Sequence, residues 1–95
     1  MKKNEPLPLL ILFLLISYSI LAGCQMAPTA EQVAQGAKLV PDVCTRCHPL
    51  SKVQRHKDDF AGWITLTNRM RTHGAQFTDA EQTAIAAFLA KTQPK

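Results

Sequence analysis

A chain of 95 residues is sized for one domain. Eleven Lys and Arg face seven Asp and Glu. No basic run with interleaved aromatics accompanies that positive balance, which argues against a nucleic-acid partner. No internal repeat or low-complexity segment divides the sequence.

The N-terminus reads as an address. Lys2 and Lys3 precede an apolar stretch from about Leu7 to Ala22, and small residues follow at Ala22 and Gly23. This is the layout of an export signal. The stretch is short for a stable membrane-spanning helix, which needs about 20 residues. Leu21-Ala22-Gly23-Cys24 resembles the lipobox of bacterial lipoprotein precursors. That resemblance implies acylation of the Cys24 thiol and cleavage just before it. The alternative is an uncleaved signal-anchor helix with Cys24 incidental. On the lipobox reading residues 1–23 are removed, residues 24–29 form a short tether and residues 30–95 form the domain. The domain is expected outside the cytoplasm, held on the periplasmic side of a membrane by its lipid. Gln25, where enteric-type sorting uses Asp for inner-membrane retention, favours the outer membrane in a Gram-negative host. The shortened chain is marginal as a self-sufficient globule, and domains of this size often lean on a disulfide, metal or cofactor.

The first predicted helix runs from about Ala30 to Val40. Thr29 suits its N-cap and Gln32 completes a capping box. Val33, Ala37 and Val40 share one face. Pro41 disfavours helix at Val40, so an end or a kink is expected there.

Cys44-Thr45-Arg46-Cys47-His48 follows. C-x-x-C-H is the attachment sequence of c-type haem. Two thiols at this spacing reach the two vinyl groups of one haem as thioethers, and the adjacent imidazole is carried to the iron. A thioredoxin-type redox pair competes, but it needs a βαβ setting that the sequence lacks. Half of a zinc site also competes, yet no second ligand pair of the usual spacing is present.

A second helix is predicted from about Asp59 to Thr72, capped by Asp58 or Asp59. Phe60, Trp63, Ile64, Thr67 and Met70 form one stripe on it, and Gly74 is a natural stop. The third runs from about Asp79 to Lys91 behind the capping box Thr78-Asp79-Ala80-Glu81, with Ala84, Ile85, Phe88 and Leu89 as its apolar face. No segment alternates as a strand does, so the domain is expected to be all-α. His48 supplies one axial ligand on this reading. Met70, on the core-facing stripe, is favoured for the other, with His73 as runner-up and His56 third.

With these residues placed, the chain resembles a small class I cytochrome c over nearly all of residues 30–91. The resemblance rests on Gly36, Cys44-x-x-Cys47-His48, Trp63 with Met70, Gly74-Ala75, and a last helix bearing Ile85, Phe88 and Leu89. It implies about three main helices around one covalent haem c. It implies Cys44 and Cys47 as thioether donors, His48 as proximal ligand and Met70 as distal ligand. It further implies that the first and last helices cross at Gly36 with Phe88 over it. The chain departs from the pattern in lacking a Gly-Pro pair after His48, which leaves the partner of the His48 ring open. The span from His48 to Met70 is also short, at 22 positions, so an exposed haem edge is expected.

The function expected is single-electron transfer between exported redox proteins by a membrane-tethered, non-enzymatic carrier. The alternatives are an electron-conducting subunit of a larger dehydrogenase or oxidase, a haem sensor with a labile sixth ligand, and a thiol switch without haem. Lys52, Arg55, His56 and Lys57 read as a solvated loop, with docking to an acidic partner as the competing role.

Overall fold

The computed structural model describes residues 7–22 and 27–95. Cys24, the expected lipid attachment point, lies outside the described residues. The fold is all-α, with no strand among the described residues. Helix α1 spans Leu7–Ala22 and α2 spans Ala30–Val43, followed by a 3-10 turn over Cys44–Arg46. Helix α3 is Leu50–Gln54, α4 is Phe60–Thr72 and α5 is Asp79–Thr92.

Helix α1 exposes the large apolar side chains from Leu9 to Ile16. No described helix is long and apolar enough to cross a membrane.

Helix α2 starts as its sequence dictates. Thr29 Oγ1 accepts from the Gln32 amide at 3.2 Å, and Gln32 Oε1 accepts from the Thr29 amide at 2.9 Å. Its end differs from expectation. The helix runs through Pro41 to Val43, because the last turn finds other ties. The Cys44 amide donates to the Val40 carbonyl, and Thr45 Oγ1 donates to the Pro41 carbonyl at 2.6 Å. Burial of Val40, 4% exposed, adds a packing incentive that outweighs the local preference before proline.

Helix α4 is capped by Asp59, whose Oδ1 accepts from the Gly62 amide at 2.8 Å. It stops at Gly74, which takes φ +101° as a left-handed terminator. Helix α5 opens with the expected Thr78–Glu81 capping box. The short α3 has no sequence signature, being too brief for periodicity. Its C-terminal end is held from afar: Gln93 Nε2 donates to the carbonyl of Val53, inside the helix, and to that of His56, just beyond it, at 2.7 and 2.8 Å.

The core comprises Val40, Val53, Trp63, Ile85, Ala86 and Leu89. Helix α2 packs chiefly on α5, and α4 packs on α5 from another side. The crossing of α2 over α5 falls at Gly36, where an added Cβ would collide with the Ala84 carbonyl and Phe88 Cβ. Absence of a side chain at this point is what lets the two backbones meet. Buried Gln82 joins α5 to α4, donating to Thr67 Oγ1 and Asn68 Oδ1, each at 2.8 Å.

Candidate metal centre

The arrangement of α2, the 3-10 turn, α3 and α4 leaves an apolar cleft of two adjoining lobes. The larger, about 310 Å³, is lined by Val43, Cys44, Cys47, His48, Met70 and Phe77 among others. The smaller, about 170 Å³, is lined by Cys44, His48, Val53, Trp63, Met70 and Leu89 among others. Cys44, His48 and Met70 therefore border both lobes, and Cys47 borders the larger.

Each side chain arrives there for a local reason. The 3-10 turn after α2 brings Cys44 and Cys47 onto one side of the chain. Cys44 is half-buried and Cys47 exposed, and both are free thiols. Burial pushes the Cys44 thiol up from its ordinary pKa. Met70 reaches the cleft from the α4 stripe, about two turns beyond Trp63 and one beyond Thr67.

His48 sits at the start of the segment into α3. Its Nδ1 lies 3.4 Å from the Pro49 carbonyl oxygen, longer than a normal N–H···O bond. The sequence left this ring's partner open, and the structure brings the carbonyl of the very next residue to it. Nε2 has no protein hydrogen-bond partner among the described residues.

The other candidate ligands are disposed differently. His73 caps the C-terminus of α4 and also lines the larger lobe, though it is exposed. His56 lines the smaller lobe, but its Nε2 faces Asp58 Oδ2 at 3.3 Å. Its ring meets Trp63 edge-on, with centroids 4.8 Å apart. The basic segment read from the sequence is thus divided: Lys52 lines both lobes, His56 pairs with Asp58, and Arg55 and Lys57 are exposed.

Sequence reasoning missed Val43, Leu66, Ala75 and Phe77 as cleft residues. Leu66 lies off the stripe on α4, and Ala75 and Phe77 lie in a turn without periodicity. No signal of spacing marked them.

A haem, the group implied by the attachment motif, fits these residues on three counts. The cleft is apolar, and its larger lobe reaches the lower end of the usual range for cofactor sites. The donor set is two free thiols, an imidazole and a thioether around one space. Finally, Trp63 Nε1 is buried without a hydrogen-bond partner, although the residue is only 1% exposed. A buried N–H calls for an acceptor, and a haem propionate is one. A zinc ion fits less well: it needs about four ligands converging on one point. Among the described residues no three His, Cys, Asp or Glu side chains do so.

Comparison with known proteins finds no family model, no curated protein and no solved structure that matches this chain.

Proposed function

We propose that this protein is a monohaem c-type cytochrome of class I type, lipid-anchored on the periplasmic side of a membrane, that passes single electrons between exported redox proteins. One observation carries the reading: the Cys44-x-x-Cys47-His48 motif and Met70 border the same apolar cleft.

When bound, the haem supplies a one-electron iron couple. The protein's part is to hold and tune it. Cys44 and Cys47 would hold the ring covalently, so that a small, open cleft does not lose it. His48 Nε2 and the Met70 thioether would ligate the iron. A thioether favours ferrous iron relative to a second imidazole, so Met70 would raise the potential. Two side-chain ligands would leave no open position for a substrate, which suits carriage of electrons. Trp63 Nε1 would be available to donate to a propionate. Cys47 is exposed, so a haem held there would be open to the approach of a redox partner.

The test is the absorption spectrum of the full chain, produced in a host able to mature c-type cytochromes, oxidised and reduced. The wild type is expected to carry one covalent haem and to show the weak far-red methionine–ferric band. Met70→Ala is expected to lose that band and to have a lower reduction potential. Retention of the band in the variant would remove Met70 as ligand. A colourless polypeptide at its bare peptide-plus-lipid mass would remove the haem.

A further inference from the structure

His73 poses a problem that the proposed ligation does not solve. It lines the same lobe as Met70, three residues further on, and is exposed. An imidazole is a strong ligand for ferric iron, so something must keep it away.

The turn from His73 to Thr78 is weakly tied by its own backbone. The His73 and Ala75 amides both donate to the Met70 carbonyl at 3.0 Å, and the Gly74 amide donates to Arg71 at 3.0 Å. Beyond Ala75 these ties cease. Neither Gln76 nor Phe77 makes a backbone–backbone hydrogen bond with another described residue. Yet Ala75 and Phe77 both form part of the larger lobe's wall.

One side chain closes that gap. Arg71, next to Met70 on the last turn of α4, reaches across the turn with three contacts. Its Nη2 donates to the Phe77 carbonyl at 3.0 Å, and its Nη1 pairs with Asp79 Oδ1 at 2.8 Å, at the start of α5. Its guanidinium also lies over the Phe77 ring, 4.6 Å from the centroid. A planar fork of donors can do all three at once, which an ammonium cannot. The Arg71 side chain is 30% exposed, so these contacts are partly shielded from water.

We propose that Arg71 is a positioning residue that selects Met70 over His73 as the iron's sixth ligand, by clamping the His73–Thr78 turn to the start of α5. The inference rests on the cytochrome reading above. With the clamp closed, Phe77 and Ala75 stay in the wall of the lobe and His73 stays at the helix end. With it open, the left-handed Gly74 linkage gives the turn freedom to bring His73 inward.

The experiment uses the full-length holoprotein. Arg71→Gln is expected to lose most of the far-red band in the ferric state and to shift to a lower reduction potential. Adding His73→Ala to it is expected to restore the band, and His73→Ala alone to keep it. Arg71→Lys should fall between wild type and Arg71→Gln. Asp79→Asn removes one contact at a side chain 94% exposed, and should shift the potential slightly in the same direction with folding intact. Simple loosening of the fold would not be reversed by removing His73, so rescue by the double variant separates positioning from general damage. Unchanged band and potential in Arg71→Gln would overturn the proposal while leaving the cytochrome reading in place. Failure of the double variant to regain the band would also overturn it. A haem-bearing wild type without a methionine band would overturn both this inference and the Met70 assignment.

Discussion

Trp63 combines a satisfied ring with an unsatisfied atom. Its ring is packed in the core, which satisfies the hydrophobic demand of a large aromatic. Its N–H is not satisfied, and a buried unpaired donor carries a cost of about 1–3 kcal/mol. Trp63→Phe keeps most of the ring volume and deletes the donor. In the holoprotein the expected result is a lower midpoint potential. On the proposed reading the indole N–H dipole would offset propionate charge and so favour the reduced iron; its loss would leave that negative charge less compensated. Redox titration of the variant against wild type checks the sign, and a higher or unchanged midpoint would disconnect Trp63 from the propionates. At this scale the sequence was informative about residues whose chemistry is distinctive. Cys44, Cys47 and His48 announce themselves by spacing and Met70 by its place on a stripe. Val43, Leu66, Ala75 and Phe77 carry no distinctive chemistry, so their roles as cleft wall emerge only once the elements are assembled.

Among the elements, α2 and α5 depend on each other through one residue without a side chain. Gly36 lies where the helices cross, and the atoms opposite are the Ala84 carbonyl and Phe88 Cβ. Backbone cannot swing aside as a flexible side-chain tip can. Gly36→Ala is therefore expected to destabilise the protein by about 1–3 kcal/mol, the usual cost of overpacking. This appears as a fall in Tm of roughly 4–8 °C per kcal/mol for a domain of this size. A thermal melt at or above the wild-type Tm would mean that the helices separate freely, because alanine is otherwise the better helix former. The same helix shows where local rules yield. Proline at 41 argues for an ending, but the burial of Val40 and the Thr45 hydroxyl bond carry the helix on to Val43. Helix α3 is the converse: its five residues are too few to register as a pattern, and a glutamine forty positions downstream of Val53 holds its end.

For the whole molecule, the decisive proposal is the attachment of a small redox domain to a membrane. Several acyl chains anchor a protein firmly, where a single chain binds only marginally. Cys24→Ser is expected to move the protein out of the membrane fraction while its absorption spectrum stays that of the wild type. Fractionation followed by in-gel haem staining checks both halves. Persistence in the membrane fraction would favour an uncleaved helical anchor over lipidation.

Short-range features were determined by the sequence alone: both capping boxes, an aspartate cap at 58 or 59, the Gly74 stop and the all-helical class. These depend on hydrogen bonds and side-chain periodicities within a few residues, which order along the chain expresses directly. The shape of the cleft, the continuation of α2 past its proline, the unpaired Trp63 N–H and the reach of Arg71 across the His73–Thr78 turn were decided by tertiary structure. Each arises where segments far apart in sequence compete for one volume, and only their packing determines which side chain faces which.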